Sequence, residues 1–289
     1  MTDDRKGKAG LALGAADIEI ARLASRAISL LLEARETSRE ALELRLRLMC
    51  DAFLSEREET RHAMLLRLRQ DGIAVPDIID CLIPEVARFM GRRWGADEIS
   101  FADVTIGTAR LQEAVRALTR RLDRDEFLRS AAKEERDANA ARERVLLVVP
   151  RPEHHTLGTF VVADQLRRFG YGVDVAVDRH PRQIAQLMRK SRYSMVGVTA
   201  AGRRALASSR ELVDTIRASV VRVPPIVLGG SIVAGEGSDL RLLTGVDHVA
   251  ADASAALHVC GLERVEDLAR AAPQGCRFHA NAPAGIVSA

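Results

Sequence analysis

The spacing of apolar residues changes once along this chain of 289 residues, and that change most constrains its fold. From about residue 15 to residue 122, apolar side chains recur at three- and four-residue intervals, as amphipathic helices require. Beyond residue 144 they gather in short runs rich in Val and Ile, and each run is too short for a helix. The sequence therefore predicts a helical N-terminal half followed by an α/β C-terminal half.

The C-terminal half alternates short strands with helices, which is typical of a parallel, doubly wound sheet. We predict a five-stranded sheet with the flavodoxin-like strand order 2-1-3-4-5. In such a sheet the ligand crevice lies at the carboxyl ends of strands one and three. The predicted strands are residues 145–149, 173–177, 195–198, 226–228 and 248–250.

The N-terminal half is predicted to form a four-helix-bundle cap, because short breaks separate its helical segments. The breaks fall at residues 36–38, 71–76 and 95–98, and Ser100 with Asp103 predicts an N-terminal cap for the last helix, residues 101–122. The predicted organisation is an N-terminal extension (1–35), the helical cap (36–123), a linker (124–143), a Rossmann-like domain (144–270) and a flexible tail (271–289).

Charge and composition argue against several classes of protein. Lys and Arg number 43 against 40 Asp and Glu, so the formal charge of +3 gives no support for direct DNA binding. The four cysteines are scattered without a CxxC pair, and no signal-like apolar segment follows Met1, which favours a cytoplasmic protein. No apolar run approaches the roughly 20 residues that a membrane span needs.

The loop after the first predicted strand contains the residues best suited to hold a metal. Glu153 and His155 lie two positions apart there, and Gly158 follows. A neutral imidazole can coordinate a metal through one nitrogen while a carboxylate accepts a hydrogen bond from the other nitrogen. His155 is thus the candidate metal ligand, and Glu153 is its candidate partner.

Three common uses of this fold lack their motifs here. A phospho-receiver needs acidic residues at the ends of strands one and three, but the third strand ends in Thr199 and two alanines. Neither GxGxxG nor GxxxxGK follows the first strand, which excludes a dinucleotide site and a P-loop. What remains is a glycine-rich crevice, which we expect to be lined by Thr199, Gly202, Gly229, Gly230 and Ser231.

Glu153-x-His155-x-x-Gly158, followed by Thr199 and by Gly229-Gly230, resembles the cobalamin-binding domain of the base-off, His-on type. That family has the pattern DxHxxG, SxL and GG. The resemblance implies that cobalamin, as adenosylcobalamin or hydroxocobalamin, binds with His155 as its axial metal ligand. It also implies that the Thr199 hydroxyl bonds the buried nucleotide tail and that the two glycines leave room for it.

Two residues depart from the family pattern. Glu153 replaces Asp and is one methylene longer, and Ala201 stands where the family has Leu. These departures leave haem as an alternative cofactor, because an imidazole serves iron as readily as cobalt.

The helical half carries a second resemblance, through residues 89–105. This segment resembles the cap of methyltransferase corrinoid modules and cobalamin photoreceptors, in which a tryptophan covers the upper face of the corrin. Trp94 matches that tryptophan, whereas Val104 and Thr105 replace the Glu-His pair of the family. The resemblance therefore assigns Trp94 to the cofactor site.

Together with residues 107–112, the cap segment most resembles the AerR and PpaA group, which are cobalamin- or haem-dependent antirepressors of bacterial photosynthesis genes. The resemblance covers about residues 61–262. It implies a light-responsive transcription regulator that acts through a repressor protein and is not an enzyme. Two alternatives stay open: a haem-binding redox sensor of the same fold, and a corrinoid methyl carrier of a methyltransferase system.

Overall fold

The computed structural model describes residues 40–130, 143–235 and 239–262, with side chains described outside 123–130. The chain divides into two compact units, Met1–Leu48 and Met49–Ala289. The described part of the first unit, residues 40–48, is helical. The predicted N-terminal extension, the predicted flexible tail and most of the predicted linker lie outside the described residues.

The second unit opens with helices, as the periodicity predicts. Pro84 lies two residues after a π-helical turn, and it lacks the amide hydrogen that an α-helical bond to the carbonyl of Asp80 would need. The helical elements are α1 (49–54), α2 (Glu58–Gln70), α3 (Val75–Asp77), the π-helical turn (Ile78–Leu82), α4 (Ile83–Gly95) and α5 (Phe101–Ser130).

The boundaries of two of these helices differ from the prediction. The chain leaves the helix at Ser55, where the sequence predicted no break. There the Arg110 guanidinium donates hydrogen bonds to the carbonyls of Phe53 and Leu54, at 3.0 and 2.8 Å, and so satisfies groups that a helix end exposes. Helix α5 continues to Ser130, eight residues beyond the predicted end at Leu122 and into the predicted linker.

The predicted N-terminal cap of α5 is confirmed. The Asp103 carboxylate accepts a hydrogen bond from the Ser100 amide at 2.8 Å, and the Ser100 hydroxyl oxygen accepts one from the Asp103 amide at 3.1 Å. These reciprocal bonds satisfy two backbone donors that the start of a helix leaves without partners.

The predicted sheet is confirmed: all four strand pairs are parallel, in the order β2-β1-β3-β4-β5. In register, Val145 of β1 lies between Val173 of β2 and Met195 of β3. Because the strands run in one direction, the loops that follow them meet at one edge of the sheet. The strands are β1 (Arg144–Val149), β2 (Gly172–Val177), β3 (Met195–Thr199), β4 (Ile226–Gly229) and β5 (His248–Val249).

Helices cover both faces of the sheet, and each face has its own apolar core. Successive side chains of a strand point to opposite faces, so Leu146 and Val148 enter one core while Val145 and Leu147 enter the other. Two short helices, Ile232–Gly235 and Leu240–Thr244, lie in a region where no helix was predicted. The helices are α6 (Leu157–Arg168), α7 (Pro181–Lys190), α8 (Arg204–Ser219), α9 (Ile232–Gly235), α10 (Leu240–Thr244) and α11 (Ala253–Val259).

No helix in the described parts of the chain is both long enough and apolar enough to cross a membrane.

Candidate functional site

The Glu153 carboxylate organises the loop between β1 and α6. Its oxygen Oε1 accepts hydrogen bonds from the backbone amides of His154 at 2.9 Å and His155 at 3.0 Å. The same oxygen lies 2.5 Å from Nδ1 of the His155 ring. Because an ionised carboxylate only accepts hydrogen bonds, Nδ1 carries the shared hydrogen, and in a neutral imidazole this leaves Nε2 with a lone pair.

The two side chains of this pair differ sharply in exposure. The Glu153 side chain is 9% exposed, whereas the His155 side chain is 79% exposed. Among the described residues, no hydrogen-bond partner meets Nε2 of His155. The buried Glu153 carboxylate therefore orients the His155 imidazole, and Nε2 of that ring faces solvent. Metal-ligating histidines are held in this way.

The electrostatics of Glu153 keep it ionised. Burial raises the pKa of this carboxyl, but hydrogen bonds from the amide and ring of His155 and from the amide of Ala201 outweigh that effect. The pKa of Glu153 therefore lies below its ordinary value. A carboxylate that stays charged raises the basicity of the imidazole it contacts, which strengthens a bond from Nε2 to a metal.

A mostly apolar groove with a cavity volume of about 60 Å³ opens at the carboxyl edge of the sheet. Its floor is formed by strands β1, β3 and β4, and its walls by helices α6 and α11. Thr199, Gly229 and Gly230 line it, as predicted, and Gly197 lies in its floor. The Thr199 hydroxyl lies 3.1 Å from the Thr159 hydroxyl and donates to the Val148 carbonyl at 3.2 Å.

The groove favours glycine at positions 229 and 230 for different structural reasons. Gly230 has φ +106°, and a Cβ there would lie 2.3 Å from the carbonyl oxygen of Ala200, so no other residue fits. A Cβ on Gly229 would lie 3.5 Å from the Ala250 carbonyl oxygen, which is an ordinary contact, but it would narrow the groove.

The structure does not support the predicted roles of three other residues, Gly202, Ser231 and Gly158. Gly202 and Ser231 were expected to line the crevice, but neither lines the groove; the Ser231 hydroxyl instead donates to the Ala201 carbonyl at 3.1 Å. A Cβ on Gly158, in the first turn of α6, would meet nothing within 4 Å. No contact of the described residues explains a glycine at position 158.

Trp94 lies near the end of α4 and is 48% exposed. Its ring packs against that of Phe101, with the centroids 5.9 Å apart and the planes tilted by 58°. The structure thus places two exposed aromatic rings side by side where α4 meets α5. Phe101 was not among the predicted site residues, although its position directly after the capping Ser100 could have indicated an exposed ring.

The helical region packs against the α/β region through a row of residues that the sequence analysis missed. Thr156, the N-cap residue of α6, and three residues within α6 are spaced four apart, so they follow one face of the helix. We call Thr156, Phe160, Asp164 and Arg168 the α6 stripe. Three members contact the helical region through hydrogen bonds or ion pairs, and Phe160 contacts it through a cation–π contact of its ring.

The contacts of the α6 stripe begin one residue after His155. The Gln112 amide donates to the Thr156 hydroxyl at 2.6 Å, and the Arg116 guanidinium lies 4.7 Å from the centroid of the Phe160 ring. Further along, the Thr119 hydroxyl donates to Asp164 at 2.6 Å. Arg168 bonds Asp164 at 2.8 Å and Asp80 of the π-helical turn at 2.6 Å.

Comparisons with known proteins agree with this geometry. A family model described as "B12 binding domain" matches residues 143–259. An uncharacterized 20.5 kDa protein in the bchF-crtJ intergenic region of Rhodobacter capsulatus is 33% identical over 186 residues, which cover 64% of this chain and 91% of that protein. The Methanosarcina barkeri monomethylamine corrinoid protein shares the fold, with a TM-score of 0.57 at 18% identity over 74% of this chain and 95% of its own.

Proposed function

Because this chain belongs to the same family as the Rhodobacter capsulatus protein and carries a B12-binding domain, we propose that it is a cobalamin-binding regulator of transcription and not an enzyme. One observation carries the proposal: the Glu153 carboxylate holds Nδ1 of His155 and leaves the exposed Nε2 free to ligate cobalt. His155 is the axial metal ligand, and Glu153 orients it.

The residues present fit a corrinoid. A bound corrinoid would need one nitrogen ligand from the protein, and Nε2 of His155, oriented by Glu153, would supply it. The groove lined by Thr199, Gly229 and Gly230 lies at the carboxyl edge of the sheet, where a ligand tail would enter. Its mostly apolar walls with a few polar groups are typical of small-molecule sites.

The regulatory part of the proposal rests on the resemblance to antirepressors and on the α6 stripe. The stripe starts at Thr156, directly after the axial ligand, and ties the helical region to α6 through polar contacts. Polar interdomain contacts are typical of interfaces that rearrange. A change at His155 can therefore reach the helical region, where Trp94 and Phe101 are exposed.

The partner that we propose is a transcriptional repressor protein, and the signal that we propose is light. A bound alkylcobalamin supplies a cobalt–carbon bond that light breaks. Trp94, at the end of α4, is the proposed contact on the upper face of the corrin. Loss of the upper ligand would change that contact and thereby the surface presented to the repressor.

The first experiment is an absorption spectrum of purified protein incubated with hydroxocobalamin, adenosylcobalamin or haemin and then passed through gel filtration. We expect the wild type to retain the corrinoids with an imidazole-ligated spectrum. His155→Ala should weaken corrinoid binding at least about tenfold and remove that spectrum, because the axial nitrogen is lost and even the loss of an outer-shell partner typically costs that much. His154→Ala is the matched control and should behave as wild type, because only its backbone amide contacts Glu153.

Other outcomes assign the protein differently. Retention of haemin alone, with a Soret band, makes it a haem sensor. Retention of no pigment overturns the proposal. The absence of the Glu-His pair from the helical cap argues against a corrinoid methyl carrier. Transfer of a methyl group from the methylcobalamin-loaded protein to a thiol acceptor, in the presence of a methyltransferase, would show that the protein is a methyl carrier.

Light dependence is tested on the adenosylcobalamin complex. We expect illumination to change its hydrodynamic radius or oligomeric state, because the helical region loses a contact at Trp94. The hydroxocobalamin complex, which has no cobalt–carbon bond, is the control and should not respond. Equal behaviour of the adenosylcobalamin complex in dark and light contradicts the light-responsive part of the proposal.

A further inference from the structure

A second cavity, of about 140 Å³, lies on the face of the sheet opposite the groove. Val148 lines this cavity and belongs to the apolar core of one face, whereas Leu147 lines the groove and belongs to the core of the other face. The cavity is bounded by the loops that follow β1 and β2, by the start of α7 and by α8. Neither Glu153 nor His155 lines it, so it is a separate site.

The Arg151 guanidinium joins two loops at this cavity. Its Nε lies 2.7 Å from a carboxylate oxygen of Asp178, and its Nη1 lies 2.7 Å from Nε2 of His180. Because a guanidinium only donates hydrogen bonds, Nε2 of His180 is the acceptor. Within the described part of the chain, these contacts leave the other N–H groups of Arg151 for a ligand.

Two opposite charges line the same cavity without pairing. Among the described residues, neither Arg179 in the loop after β2 nor Glu211 on α8 has a hydrogen-bond or ion-pair partner for its side chain. By contrast, Arg210 and Arg217 of α8, which do not line the cavity, each pair with an aspartate. A cation and an anion that share a cavity without neutralising each other are complementary to a ligand that carries both charges.

The floor and the size of the cavity limit its ligand further. Val148 and Leu212 are almost fully buried beneath it, and Pro150 and Pro181 add apolar surface to its walls. A water-sized atom needs roughly 10–15 Å³ of such space, so the cavity holds a ligand of about ten non-hydrogen atoms. An apolar surface with a few polar groups is typical of small-molecule sites.

We propose that this cavity binds a small zwitterion, an amino acid with an aliphatic side chain. Arg151 and Arg179 bind its carboxylate, and Glu211 binds its ammonium group. Its side chain lies on Val148 and Leu212. Guanidinium groups suit this role because their paired N–H groups match the geometry of a carboxylate. The inference goes beyond the proposed function and does not depend on it, because the proposed corrinoid contacts do not line this cavity.

The test titrates three probes into the full-length protein and follows the NMR shifts of the backbone amides of residues 178–183 and 208–212, which surround the cavity. The probes are L-leucine, isocaproate, which lacks the amino group, and isoamylamine, which lacks the carboxylate. We expect L-leucine to bind with a Kd of about 1 mM or tighter. Each analogue should bind at least about tenfold more weakly, because one charged group of the cavity loses its partner.

Three variants test the assigned contacts. Arg179→Gln should weaken L-leucine binding at least about tenfold, because hydrogen bonds to the ligand carboxylate are lost. Arg182→Gln is the matched control: it removes the same charge from an exposed position of α7 that does not line the cavity, and affinity should change less than about twofold. Glu211→Gln should weaken L-leucine binding about tenfold but should not weaken isocaproate binding, because isocaproate has no ammonium group for Glu211 to bind.

Several results would overturn the inference. L-leucine that produces no saturable shifts up to about 10 mM shows that the cavity does not bind it. Isocaproate that binds as tightly as L-leucine makes the cavity an anion site without selection for a zwitterion. Equal losses in Arg179→Gln and Arg182→Gln reveal only a general effect of charge. Amide shifts far from the cavity confirm the fold of each variant, and none of these measurements requires a bound corrinoid, so the proposed function is tested separately.

Discussion

Replacing Asp164 with alanine is expected to lower the free energy of unfolding by about 3 kcal/mol, because it breaks a buried ion pair and leaves Arg168 with one acidic partner. Asp164 is buried and accepts hydrogen bonds from Arg168 of its own helix and from Thr119 of α5. The Thr119 hydroxyl can turn to the Val115 carbonyl, which lies 2.9 Å away, so Arg168 bears most of the loss.

The replacement should also affect Asp80, which shares Arg168 with Asp164. Burial raises the pKa of Asp80, and Arg168 only partly offsets that effect. Arg168 therefore already pairs with a carboxyl whose burial disfavours the charged form. Removal of Asp164 takes away one of the two carboxylates that hold the Arg168 guanidinium, so the guanidinium can shift relative to Asp80. The change should loosen the contact between α6 and the π-helical turn, which urea unfolding followed by circular dichroism and by the fluorescence of Trp94, the only tryptophan, can measure.

The matched control is Asp214→Ala, which breaks an exposed Asp–Arg pair of the same spacing with Arg210 on α8. Exposed pairs of this kind contribute less than about 0.5 kcal/mol. An Asp164→Ala protein that unfolds within about 1 kcal/mol of wild type would show that the α6 stripe does not hold the helical region in place.

Replacing Gly230 with alanine is expected to destabilise the protein by at least about 3 kcal/mol, through two independent costs. The backbone at φ +106° disfavours any residue with a Cβ, and the added Cβ would lie 2.3 Å from the Ala200 carbonyl oxygen. That neighbour is backbone, so no side-chain rotation relieves the overlap. Denaturant unfolding measures the loss, and binding of hydroxocobalamin should fall as well, because Ala200 must move away from the groove.

Gly202→Ala controls for the general effect of a methyl group in this part of the molecule. A Cβ at position 202 would meet nothing within 4 Å, so unfolding should change by less than about 0.5 kcal/mol. Comparable losses in the two variants would contradict the steric argument for Gly230.

The candidate site was only partly predictable. The residues Glu153 and His155 follow β1 at a spacing that lets a local hydrogen bond form, and that bond is present. The bond from Ala201 to Glu153 joins residues 48 positions apart, and no local pattern signals it. The expected crevice lining was right for Thr199 and the two glycines of β4 and its loop, and wrong for Gly202 and Ser231, because loop residues follow no fixed periodicity.

In the helical region, too, the local contacts were predicted from the sequence and the long-range contacts were not. The capping pair Ser100 and Asp103 is local, and its bonds formed as predicted. The break at Ser55 was missed, since Arg110 caps the helix end from 56 and 57 positions away in sequence. Trp94 was assigned to the cofactor site by resemblance, and the structure adds its neighbour Phe101, whose exposure depends on how α4 and α5 meet.

The sequence by itself determined the strands, the order of the sheet and the placement of the ligand loop, because these depend on apolar periodicity and on the handedness of strand–helix–strand connections. Only the tertiary structure decided which groups meet across elements: Glu153 with Ala201, Gly230 with Ala200, and the α6 stripe with α5 and the π-helical turn. These contacts depend on helix packing and loop paths, which follow from the whole fold and leave no periodic signal in the chain.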